Sequence, residues 1–199
     1  LNIQFTLKLL TLIKMLDKRS KFLRRLVVEM VEVGRRGHIG SAMSLIEILR
    51  VLYDYFLLYL PIHPNWTVRD RFILSKGHAA TALYAALAYR GFFPLDELRN
   101  YAQPGSVMAE HPSIGSAPGI EVATGSLGHG LPIGLGMALA SQIQNFSYKV
   151  FVVMSDGECN EGSVWEGAMA GSHFKLDNLV AILDKLSLIH ISEPTRLGM

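Results

Sequence analysis

Five residues carry the side chains most able to do chemistry, and four of them are histidines in glycine-rich or turn-like settings. They are His38 in RGHIGS, His78 in SKGHAA, His111 in AEHPS and His129 in LGHG. The fifth is Asp156, which follows the apolar run VFVVM within SDGECNEGSVWE. A histidine beside glycine is ordinarily a polar loop residue, but four in such settings suggest a shared polar pocket. Neutral imidazoles there suit proton shuttling and hydroxyl recognition. Zinc would need closely spaced ligand pairs or cysteines, and the sequence has neither. An aspartate at a strand end beside Gly157 commonly serves as a turn or cap residue. The same placement suits a hard cation, because magnesium takes oxygen ligands, often one or two carboxylates plus the phosphate oxygens of a ligand.

The elements that would position these residues follow from the apolar pattern. Phe22, Leu23, Leu26, Val27, Met30 and Val31 recur at helical spacing from Lys18 to Val33, with charged residues opposite and Gly34 and Gly37 at the end. A second helix is predicted over 44–59, stopped by Pro61 and Pro64. RFILS at 71–75 reads as a buried strand, and the Ala-rich stretch to Gly91 as a helix. Residues 102–130 are rich in Gly, Pro and Ser and read as a long functional loop before helical sequence resumes at Leu131. Strand 149–154, helix 163–175 and strand 179–184 complete a strand–helix–strand unit, which implies a parallel pair. The predicted fold class is α/β, an open, mostly parallel sheet flanked by helices. In such sheets ligands bind beyond the carboxyl ends of the strands, where Asp156 and, one strand on, Asp184 arrive.

Composition narrows the function. With 199 residues, half of them apolar, one core is expected. A net charge of +2 with dispersed basic residues gives no case for nucleic acid. The longest uncharged stretch, 122–148, is too rich in Gly, Ser, Gln and Asn for a membrane span. The lone Cys159 cannot form an intramolecular disulfide and suits a reducing compartment, so the expected location is the cytoplasm. There is no G-x-x-x-x-G-K-[ST] run, and the glycines of GSLGHGLPIGLGMALA miss the G-x-G-x-x-G spacing, which argues against a P-loop and a Rossmann site.

Taken in order, RRGHIGSAMS, DRFILSKGHAATALYA, EVATGSLGHGL and SDGECNEGSVWE resemble the thiamine diphosphate domain of transketolases, in particular the amino-terminal subunit of the split, two-chain type. The resemblance covers roughly residues 20–185. It implies a thiamine diphosphate cofactor held through Mg2+ (or Ca2+), with Asp156 as metal ligand and Ser155 in place of the first glycine of the family's G-D-G motif. It implies that His78 lines the cofactor and substrate channel, and that His38 and His111 face donor-sugar hydroxyls. Gly125, Ser126 and Leu127 match the loop on the aminopyrimidine ring, and Ser155, Asp156 and Gly157 the diphosphate turn. Glu161 matches a motif carboxylate near the cofactor and the subunit contact, whereas Glu166 reads as structural. His129 stands where many relatives have glutamine.

The implied reaction transfers a two-carbon ketol unit from a ketose phosphate to an aldose phosphate, the hard chemistry belonging to the cofactor. The family's pyrimidine-binding domain is not in this sequence, so the expected partner is a carboxy-terminal subunit carrying it, in a dimer of such pairs. Alternatives are another thiamine diphosphate enzyme, such as a deoxyxylulose phosphate synthase or a ketoacid dehydrogenase component, or a non-catalytic remnant. The expected organisation is an N-terminal extension over 1–17, the diphosphate domain, truncated, over 18–185, and a non-native tail over 186–199. In the tail Leu186 occupies the place of the family's metal-ligating asparagine, and LSLIHISEPTR coincides with the in-frame translation of a transposon-end library adaptor. Resequencing the source DNA across codon 186 tests that expectation.

Overall fold

A computed structural model describes residues 17–185. The expected tail and residues 1–16 of the expected extension lie outside the described residues. Asp17, the last residue of the expected extension, caps the first helix, α1 (Lys18–Gly34), its carboxylate accepting from the Ser20 amide at 2.8 Å. A left-handed residue, Arg35 (φ 53°), ends α1, and the chain enters α2 (Ile39–Val51) through His38.

This second helix starts five residues before the predicted Ser44, because HIGS is itself the helical entry rather than a loop. It also ends early. A π-type turn over Leu52–Phe56 follows, and Leu57 is extended. The apolar run to Tyr59 looks helical locally, but Asp70 captures it. Asp70 accepts from the Leu58 amide through its carboxylate at 2.8 Å, while its own amide donates to the Leu58 carbonyl at 2.8 Å. A tertiary contact thus overrides helix propensity.

Strand β1 (Arg71–Leu74) leads into a 3-10 turn (Gly77–Ala79) and helix α3 (Ala80–Tyr89), so the single predicted helix is two pieces. A 3-10 segment at Leu95–Asn100 was not expected from the sequence. From Tyr101 to His129 the chain has no helix or strand, matching the predicted loop. It is nonetheless tied down, with the Tyr84 hydroxyl donating to the Ala109 carbonyl at 3.1 Å and Arg69 paired with Glu121. Helix α4 (Gly130–Ile143), strand β2 (Val150–Ser155), a 3-10 turn (Gly157–Asn160), helix α5 (Gly162–His173) and strand β3 (Leu179–Asp184) follow. Helix α5 stops two residues short of the predicted Lys175, which takes a left-handed conformation (φ 52°).

The three strands are all parallel in the order β1-β2-β3, with Arg71 opposite Val150 and Ser155 opposite Asp184. Every residue of central β2 is buried, which is why VFVVMS is apolar without alternation. Its two faces separate two cores. Phe151 and Val153, with Phe72 and Leu74, pack under α1–α3, whereas Val150, Val152 and Met154, with Ile73, pack against Leu131, Ala138 and Val164 of α4 and α5. The architecture is three layers, helices on both faces of a parallel sheet. Among the described residues, no helix is long and apolar enough to cross a membrane.

Candidate active site at the carboxyl edge of the sheet

Parallel pairing brings three strand ends to one edge: Ser75 and Lys76 after β1, Ser155 and Asp156 after β2, and Asp184 closing β3. Ser75 stays in register, its amide donating to the Val153 carbonyl at 2.9 Å. The 3-10 turn that follows presents His78. His38 arrives from the α1–α2 connection and His111 from the long loop. The His38 and His78 ring centroids are 5.2 Å apart, and those of His38 and His111 are 6.5 Å apart. His38 and His111 are exposed and His78 is half-buried. The His38 Nδ1 atom also lies 3.7 Å from a Glu110 carboxylate oxygen. His129 does not join this group; it is exposed at the N-terminus of α4 and makes no side-chain cap bond. The structure therefore brings together three of the four histidines.

Burial pushes the His78 imidazole down to about 4, helped by the Lys76 ammonium and then by His38 and His111. At neutral pH the ring is uncharged and has one donor and one acceptor nitrogen. Lys76 is itself fully buried, its ammonium 2.5 Å from the Asp184 carboxylate and 3.2 Å from the Ser41 carbonyl. The Ser44 hydroxyl donates to the same carboxylate at 2.6 Å. Helix α2 is thereby anchored to the strand ends that it overlies.

The loop 124–128 closes over this edge by backbone proximity. A side chain at Gly77 would sit 2.6 Å from the Thr124 carbonyl carbon, so only glycine permits that approach. Gly125 has φ 141°, and a Cβ there would meet His111 Cδ2 at 2.7 Å, so the loop and the imidazole are in direct register. Ser126 is exposed and Leu127 half-buried. Thr124 Oγ1 is buried without a hydrogen-bond partner among the described residues. Asp156 begins the turn Gly157–Asn160, accepting from the Gly157 amide at 3.0 Å. The commonplace expectation for a strand-end aspartate is thus met by its backbone role. Glu161 is exposed at the N-terminus of α5, its Cβ against Gly128. The Cys159 thiol is pushed up by burial and by the carboxylates of Glu158 and Asp156, which disfavours a thiolate nucleophile.

Two features of the site were not expected from the sequence. The Lys76–Asp184 pair was legible only as an aspartate reaching the edge. Glu158 is fully buried and accepts from the Gly128 amide at 2.8 Å and from the Ser75 hydroxyl. Its sequence signal was its position in SDGE, immediately beyond a fully buried strand, where a solvated carboxylate would be the default. Among the described residues, no group of three or more His, Cys, Asp or Glu is arranged to hold a metal. Any cation here would rest on the Asp156 carboxylate and on oxygens from outside that set.

Comparison with known proteins identifies the family. The family model described as "Transketolase, thiamine diphosphate binding domain" matches residues 16–195. The chain is 44% identical over 173 residues to one of the subunits of the apulose-4-phosphate transketolase of Phocaeicola vulgatus, covering 87% of this chain and 61% of that protein. It is 39% identical over 171 residues to a 6-deoxy-6-sulfo-D-fructose transketolase subunit from a Clostridium species, covering 85% of this chain and 62% of that protein. Transketolase from Leishmania mexicana superposes with a TM-score of 0.78 at 30% identity, over 84% of this chain and 27% of that one. The chain thus spans about three fifths of the two subunit relatives and about a quarter of the Leishmania enzyme. It belongs to the transketolase family, as a thiamine diphosphate-binding domain.

Proposed function

We propose that this chain is the diphosphate-binding part of a split transketolase that moves a two-carbon ketol unit from a ketose phosphate to an aldose phosphate in cytoplasmic carbohydrate metabolism. The observation that carries the reading is the convergence of His38, His78 and His111 at the sheet edge that also delivers Asp156. The names of the two subunit relatives, each one chain of a transketolase named for a sugar derivative, support a ketose-type donor and a second chain. That second chain carries the pyrimidine domain, and the working assembly is a dimer of such pairs.

The residues present fit thiamine diphosphate. Asp156 offers a hard oxygen ligand for Mg2+ or Ca2+, with the Ser155–Gly157 backbone beside the diphosphate. Phosphate oxygens and water would supply others, and the asparagine expected where Leu186 stands would add a second side-chain ligand. The narrow approach of Gly125 to His111, with the buried unpartnered Thr124 hydroxyl next to it, forms a cradle for Gly125, Ser126 and Leu127 to pack on the aminopyrimidine. When bound, the cofactor supplies the carbanion chemistry. The neutral His78 lines its diphosphate end without adding a charge. His38 and His111, exposed and grouped with His78, hydrogen-bond the donor hydroxyls and move protons there. Glu161 lies near the cofactor and the contact with the neighbouring chain.

The test is a calorimetric titration of thiamine diphosphate and Mg2+ into the complete chain with its partner, for the wild type and Asp156→Ala. Metal-dependent binding that is lost in the variant is expected. Unchanged affinity in Asp156→Ala would reject the assignment.

A further inference from the structure

Glu158 is 0% exposed, yet among the described residues no Lys, Arg or His pairs with it. Its partners are neutral donors from three separate segments. One oxygen accepts from the Gly128 amide at 2.8 Å and from the Ser75 hydroxyl, and the other accepts from the Ser155 amide at 3.4 Å. The Ser75 hydroxyl in turn accepts from the Gly130 amide at 3.1 Å, and the Glu158 amide donates to Ser155 Oγ at 3.3 Å. A single carboxylate therefore joins the end of β1, the glycine loop at the head of α4, and the end of β2 from which Asp156 projects.

Burying a carboxylate without a cation is costly, and a core of apolar side chains would hold these segments with less desolvation. Apolar contacts, however, would not fix three backbone segments at hydrogen-bond precision. We propose that Glu158 is a positioning residue for the diphosphate site, holding the Ser75 end, the Gly125–Gly130 loop and the Asp156 turn in one rigid frame. The inference rests on the reading of Asp156 as metal ligand. A frame set in advance lets metal and diphosphate meet donors that need no rearrangement, so its loss weakens binding rather than only lowering stability.

The experiment measures thiamine diphosphate and Mg2+ affinity calorimetrically in the complete chain with its partner, well below the unfolding temperature. Glu158→Gln keeps the shape while replacing one of the two accepting oxygens by a donor. Affinity for both is expected to fall at least tenfold. Ser141→Ala serves as a control, since Ser141 is equally buried but bonds the Phe146 and Tyr148 carbonyls at the far end of α4. It is expected to lower the melting temperature and leave affinity unchanged. If Glu158→Gln does not fold, Ser75→Ala removes one of the same bonds and is expected to weaken binding severalfold. Wild-type affinity in Glu158→Gln, or in Ser75→Ala where the former cannot be purified, would overturn the inference while leaving the Asp156 reading intact. A wild-type complex that binds no cofactor overturns both.

Discussion

The ammonium of Lys76 and the carboxylate of Asp184 meet at 2.5 Å across the central strand, joining the end of β1 to the end of β3 where the two do not touch as strands. Both side chains are almost entirely removed from water, so this is a buried pair. Its two halves are expected to behave very differently from their sum. Lys76→Met or Asp184→Leu alone leaves an uncompensated buried charge and should cost about 3–5 kcal/mol. The double variant should recover a large part of that loss. Urea unfolding of the four proteins measures the coupling, and additive losses would show that the pair does not act as a unit.

His78 provides an acid-sensitive element of stability. Its folded value of about 4 lies below the ordinary 6.5, so the unfolded chain binds a proton between those values and the folded chain does not. Stability from this group is therefore complete above pH 6.5 and lost as pH falls toward 4. Allowing for its half-exposure, the loss should be on the order of 2 kcal/mol. Comparing the pH dependence of unfolding in the wild type and His78→Gln isolates the effect from that of the carboxylates, and parallel curves would contradict it.

His111→Ala should impair turnover of hydroxylated donors more than cofactor binding, because its exposed ring is grouped with that of His38, the other imidazole assigned to donor hydroxyls. Separate measurements of kcat, KM and cofactor affinity test this. Equal losses in turnover and cofactor affinity would assign His111 to holding the loop instead.

Gly125→Ala places a methyl group 2.7 Å from His111 Cδ2 and imposes φ 141° on a residue with a side chain. Roughly 1–3 kcal/mol of backbone strain is expected, relieved by moving the loop off His111. The measurable outcome is a lower melting temperature together with weaker thiamine diphosphate binding. A stable variant with unaltered affinity would argue that the loop and the imidazole are not mechanically linked.

Much of this was legible in the sequence, for identifiable reasons. The fully buried β2 and the amphipathic α1 announce themselves by composition and period, and the strand–helix–strand order dictates the parallel edge that collects Asp156 and Asp184. The end of α2 is not legible, because the bonds between Leu58 and Asp70 are tertiary and leave no local mark. Glu158 is equally hidden. A glutamate between glycine and cysteine in a turn reads as solvated, and its burial depends on Ser75 and Gly128, which are distant in sequence. The histidines are recognisable as a set, but their sequence contexts do not separate His129 from the three that converge.

The register that places Arg71 opposite Val150 and Val150 opposite Leu179 also orders events in time. The β2–α5–β3 unit closes a short loop, whereas β1 reaches β2 only after a far longer span of chain has been gathered, including the irregular stretch ahead of α4. Loop closure of that kind makes the β1 pairing the slower step. On the ribosome, α1 through α3 emerge well before their partner strand and must wait for it. Lys76 can meet Asp184, and Ser75 can meet Glu158, only once those later segments have been made, and nascent chains that stall before β2 lack the strand against which α1–α3 pack their apolar face.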